Sequence, residues 1–67
     1  MTIADRIRKA REQAGLTQMA LGELLGYKPA TAKTAVYRWE AGTRPVPMDK
    51  IKPLAEVLKI PPDKLLP

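Results

Sequence analysis

The side chains with the clearest chemical potential lie together in one stretch, Lys33-Thr34-Ala35-Val36-Tyr37-Arg38-Trp39. Lys and Arg neutralise phosphates and donate to guanine O6 and N7, and a threonine methyl packs on a thymine methyl. In helical register Val36 and Trp39 share one face, while Thr34, Tyr37 and Arg38 fall about half a turn from Val36. A short helix with a narrow inner stripe and an outer face of Lys, Thr, Tyr and Arg suits insertion into a groove of DNA. The same pattern also describes a polar face that is merely solvated. The spacing of Trp39 from Val36 assigns it to the core rather than to a base stack. Gln18 is a second candidate. It falls in the first turn of an earlier helix, where free backbone N–H groups and the helix dipole favour an anion.

Composition narrows the chemistry. The chain has 67 residues and reads as one domain, 1–67, with one small core. It has no histidine and no cysteine, which removes thiolate metal sites, most zinc chemistry and the common nucleophile–base pairs. Asp5, Glu12, Glu23, Asp49, Glu56 and Asp63 are scattered along the chain and suit helix surfaces or caps, so no enzyme activity, metal or cofactor is expected. Twelve Lys and Arg stand against seven Asp and Glu, a net charge of +5. Such an excess fits a polyanion partner through counterion release, or simply a basic soluble domain. Two tyrosines, one tryptophan and no phenylalanine are few for a module that stacks single-stranded bases. No apolar run is long enough to span a bilayer and no signal peptide is apparent, so a cytoplasmic location with no membrane contact is expected.

Periodicity assigns helices throughout and no strands. Thr2–Ala14 carries Ile3, Ile7, Ala10 and Ala14 on one face, with Thr2 and Asp5 spaced as an acidic capping box. A second helix, Thr17–Leu25, has Thr17 as cap and Leu21, Leu24 and Leu25 at helical spacing. Gly22 inside it costs about 1 kcal/mol relative to alanine, which implies either close packing or flexibility. The third helix is placed from a Thr31 cap to about Ala41. The alternative starts it at Pro29 as the first helical residue. Gly15, Gly26 and Gly42 stand where helices end. Thr43–Met48 reads as an extended loop with Arg44 exposed. The fourth helix runs from about Asp49 to Lys59, and Pro53 predicts a distorted or 3₁₀ first turn over 49–52. Asp63–Leu66 is at most one further turn, packed through Leu65.

At Thr17–Gly42, and with matching residues over nearly the whole chain, the sequence resembles the Cro/repressor-type helix-turn-helix family of phage and bacterial regulators. The residues that carry the resemblance are Arg11, Gly15-Leu16-Thr17-Gln18, Leu21-Gly22-Glu23-Leu24-Leu25-Gly26 and Val36-Tyr37-Arg38-Trp39-Glu40-Ala41-Gly42. Pro45 or Pro47 and the apolar series Ile51, Leu54, Ala55, Leu58, Ile60 and Leu65 follow. Gly22 stands where the family usually has alanine, and Ala10 where it has leucine. Pro53 interrupts the fourth helix. The interval from Gly26 to Trp39 is about four residues longer than the family norm, which predicts a longer turn.

The resemblance implies an all-α, lambda-repressor-like bundle of four to five short helices and a sequence-specific regulator of transcription. By the same resemblance, Gln18 contacts a phosphate, and Lys33, Thr34, Tyr37 and Arg38 face the major groove. Arg44 grips a phosphate, Lys28 is a weaker site of the same kind, and Arg11 pairs with Glu40. The implied partner is double-stranded DNA, as a palindromic operator bound by a homodimer, with no small-molecule ligand. Single-domain relatives of this type suggest a two-fold contact beside the third helix, where Val46, Met48, Leu66 and Pro67 offer apolar surface. Those residues equally could cover the bottom of the core. The competing function is an antitoxin-like protein-interaction module on the same fold. It predicts a large apolar patch away from the basic face and a neutralising tail, and Pro67 is expected to leave none.

Overall fold

Thr2 opens the first helix as its spacing from Asp5 predicts. In the computed structural model, which describes residues 1–66, the Thr2 hydroxyl accepts the Asp5 backbone N–H at 3.1 Å. The Asp5 carboxylate accepts the Thr2 N–H at 3.2 Å. Helix α1 then spans Ile3–Gln13 and buries Ile7 completely. Ala14, expected on the inner face, is the C-cap and is exposed. Helix α2 spans Gln18–Leu24, capped by the Thr17 hydroxyl, which accepts the Ala20 N–H at 3.0 Å. Leu21 and Leu25 are buried, but Leu24 is 60% exposed. The inner stripe of α2 is centred between Leu21 and Gly22, because α3 approaches over Gly22. Leu24 lies about 110° from that centre.

Helix α3 spans Pro29–Ala41 and begins three residues earlier than a Thr31 cap requires. Pro29 explains the difference. Its ring confines Lys28 to extended backbone (φ −72°, ψ 153°), which is the N-cap conformation, and supplies a preset first helical residue. The Thr31 hydroxyl instead donates to the Lys28 carbonyl at 3.3 Å. The four additional residues between Gly26 and Trp39 therefore lie in α3, as about one further turn, and not in a longer connection. Gly42 closes the helix at φ 76°, a left-handed conformation that a side chain would strain.

Helix α4 spans Met48–Leu58 as regular α-helix, which corrects the distorted or 3₁₀ turn expected over 49–52. Only the start is tight: the Lys50 N–H donates to the Pro47 carbonyl three residues back, at 2.9 Å. Pro53 deprives the Asp49 carbonyl of a helical donor, and Asp49 is exposed, so that loss falls at the surface and not in the core. A closing 3₁₀ turn, Pro62–Leu65, buries Leu65. Among the described residues there are no strands, and no helix is long and apolar enough to cross a membrane.

The helices close around Ile7, Leu21, Val36, Trp39 and Leu54. α2 and α3 meet so tightly that a Cβ on Gly22 would lie 2.5 Å from the Ala32 carbonyl oxygen. The packing reading of Gly22 therefore holds. α4 braces the connection between them. The Lys50 ammonium donates to the Leu25 carbonyl at 2.9 Å and lies 5.0 Å from the centre of the Tyr27 ring. That ring in turn meets Trp39 edge-on, with centroids 5.9 Å apart. Burial raises the Tyr27 phenol above its usual range, and the nearby Asp49 carboxylate adds to the shift.

Candidate nucleic-acid interface

α3 divides cleanly into two faces. Ala32, Val36 and Trp39 are buried, while Lys33, Thr34, Tyr37 and Arg38 are all exposed, Tyr37 by 58%. Trp39, at 4% exposure, belongs to the core. The polar face is thus available along the whole helix, and the buried stripe fixes its direction.

An ion pair holds this helix against α1. Arg11 Nε donates to Glu40 Oε2 at 2.6 Å, and its Nη2 donates to Oε1 at 3.1 Å. Its Nη1 donates to the Leu16 carbonyl at 2.9 Å, so one guanidinium ties α1, the entry to α2 and the end of α3. The side chains are only 13% and 5% exposed, so removing one would strand the other's charge in a poorly solvated site. The hydrogen bond to Glu40 raises the Arg11 guanidinium above its already high range. Neutralised in this way, Glu40 does not present a repulsive charge beside the basic face.

Gln18 joins the same network. Its amide nitrogen donates to Glu40 Oε1 at 3.2 Å, and the residue is half-buried. It shares the wall of one shallow cleft with Lys33, at the border between α2 and α3. Arg38 and Arg44 meet at another concavity beyond the opposite flank. The Arg44 loop is pinned there by the Arg38 carbonyl. That oxygen accepts the backbone N–H groups of Thr43 and Arg44 at 3.1 and 3.3 Å, and the Thr43 hydroxyl at 3.3 Å. Lys28 is exposed at the N-cap of α3. The seven expected positions therefore fall along α3 and its two flanks. Ala30 and Thr31 also lie exposed on its first turn, where a start at Thr31 leaves them out. The Pro29 signal, read as a first helical residue, finds both. Lys50 and Tyr27 also position the site, and the sequence carries no signal for them, because their contacts join segments far apart in it.

Of the apolar residues expected on a two-fold surface, Val46, Met48 and Leu66 line one apolar groove floored by Trp39 and Ile51. Met48 is 77% exposed and Leu66 40%, while Val46 packs partly on the core. Pro67 lies outside the described residues. Among the described residues, no group of three His, Cys, Asp or Glu side chains could hold a metal ion.

A family model described as helix-turn-helix matches residues 7–65, well over half of the chain. No curated protein and no solved structure matches it significantly.

Proposed function

Because the chain belongs to the Cro/repressor-type helix-turn-helix family of DNA-binding regulators, we propose that it represses transcription by placing α3 in the major groove of a palindromic operator. The split of α3 into a buried apolar stripe and an exposed face of Lys33, Thr34, Tyr37 and Arg38 is the observation that carries this function. Lys33 with Gln18 on one flank, and Arg38 with Arg44 on the other, supply donors to the two phosphate backbones that border a groove. Gln18 does so while its amide nitrogen also holds Glu40, which sets its orientation before DNA arrives. Lys28 adds charge at the leading end of α3.

One helix of this length touches few base pairs, so two copies bind together. The two-fold contact forms through Met48, Leu66 and the exposed part of Val46. The patch is small, so the free protein is monomeric at micromolar concentration and pairs on its operator. Its place of action is the cytoplasm, where phage and bacterial DNA lies.

Equilibrium binding to duplex DNA at several salt concentrations tests this function. Affinity should fall steeply with salt, with a log–log slope of about 0.9 per neutralised phosphate. Gln18→Ala and Arg44→Ala should weaken binding to all sequences alike, and Arg44→Ala, which removes a charge, should also flatten the slope. Thr34→Ala or Tyr37→Ala should change which sequence is preferred, by about 1–3 kcal/mol for a true base contact, whereas Arg38→Ala should act as Arg44→Ala does. An absence of binding to any duplex at low salt contradicts the function. A preference altered by Arg44→Ala but by neither Thr34→Ala nor Tyr37→Ala contradicts the role of α3.

A further inference from the structure

The outer face of α3 is charged at its shoulders and uncharged along its centre. At about 100° per residue, Ala30, Thr34 and Tyr37 lie within about 60° of one another, opposite the buried Ala32, Val36 and Trp39. Lys33 and Arg38 stand about 40° beyond either edge of that central strip. Lys33 leans toward α2 and shares the cleft with Gln18, and Arg38 meets Arg44 on the opposite flank. The strongest hydrogen-bond donors to guanine thus sit on the sides of the helix that face the backbones of a groove. The side chains this leaves for the floor of a groove are a methyl group at Ala30, a methyl and hydroxyl at Thr34, and at Tyr37 an aromatic ring tipped by a hydroxyl. Ala30 has particular weight. It belongs to the extra turn that Pro29 starts, at the leading end of the helix, where base edges are approached most closely. Its short side chain lets the backbone come near.

The major groove offers one apolar group to such a surface, the C5-methyl of a pyrimidine. Thymine carries it in ordinary DNA and 5-methylcytosine carries it at the same place in modified DNA. We propose that the chain reads its operator chiefly through C5-methyl groups packed against Ala30, Thr34 and Tyr37, and that Ala30 is a specificity-determining residue. The inference rests on α3 being the helix that enters the groove.

A duplex selected from a random pool provides the substrate. Each thymine in the half-site is replaced in turn by deoxyuridine, and each T·A pair by C·G or by 5-methyl-C·G. Burying one methyl group corresponds to about a fourfold change in affinity. At one to three positions per half-site, loss of the thymine methyl should weaken binding by about that factor. At the same positions, 5-methylcytosine should bind tighter than cytosine by a similar factor. Ala30→Gly, checked for helical content, should abolish the methyl effect at one of these positions and leave the others. The base changes leave the protein intact, so they are informative whether or not the variant folds well. A selected duplex whose affinity is unchanged by every methyl removal overturns methyl reading while leaving DNA recognition by α3 standing. Enriched half-sites without thymine, or no sequence preference at all, also overturn it. Failure to bind any duplex at low salt overturns the DNA-binding function itself.

Discussion

Gly22 shows how a single residue can set the geometry of a recognition unit. A methyl group there would meet the Ala32 carbonyl oxygen at 2.5 Å, and that neighbour is backbone, which does not rotate away. Gly22→Ala gains about 1 kcal/mol of helix propensity but forces α2 and α3 apart, and overpacking of this kind costs about 1–3 kcal/mol. The clash lies well inside normal contact distance, so the variant should be less stable by about 1–2 kcal/mol in urea unfolding. Unchanged or increased stability would show that the two helices have slack at this point. The sequence marks Gly22 as anomalous, since glycine disfavours a helix interior. It does not say what fills the space, because Ala32 is brought there by packing between helices. The pairing of Arg11 with Glu40 was legible through the family resemblance. The third member, Gln18, was not, because its bond to Glu40 depends on the rotation of α2 against α3.

At the scale of elements, the local signals at helix ends were the most legible. Thr2 with Asp5, Thr17 and the three glycines all act within a few residues, so spacing alone reveals them. The capping box of α1 has a pH consequence. The backbone N–H and the hydroxyl of Thr2 hold the Asp5 carboxyl below its usual range, with a smaller contribution from Arg8. A carboxyl lowered in the folded state contributes stability above its unfolded value, and that contribution is lost as pH falls through the folded value. The difference in stability between the parent protein and Asp5→Ala should therefore be constant near neutral pH. It should shrink below the ordinary carboxylate range, and a difference that persists unchanged in acid would contradict the cap. Proline proved harder to read. Pro29 extends α3 backward by a turn, and Pro53 sits inside α4 without breaking it. Local rules allow helix starts at both Thr31 and Pro29, and the outcome at Pro53 depends on whether the Asp49 carbonyl lies at the surface, which spacing does not reveal. Leu24 is exposed because the approach of α3 over Gly22 turns the inner stripe toward Leu21 and Leu25 and away from Leu24, which their shared helical spacing does not show.

At the scale of the whole molecule, a net charge of +5 says only that a polyanion is a fitting partner. The fold sorts that charge. It buries Glu40 against Arg11 and leaves Lys28, Lys33, Arg38 and Arg44 exposed along α3 and the loop beyond it. It also leaves Met48 and Leu66 exposed at the rim of an apolar groove beside the same helix. In the proposed function α3 reads a specific sequence twice, from two copies of the chain. Selection of the purified protein against random duplex DNA measures this most directly. The expected result is an enriched palindrome with half-site centres about 34–36 Å apart along one face of the duplex. Recovery of random sequence, or of a single asymmetric site saturated by one protein, would contradict it.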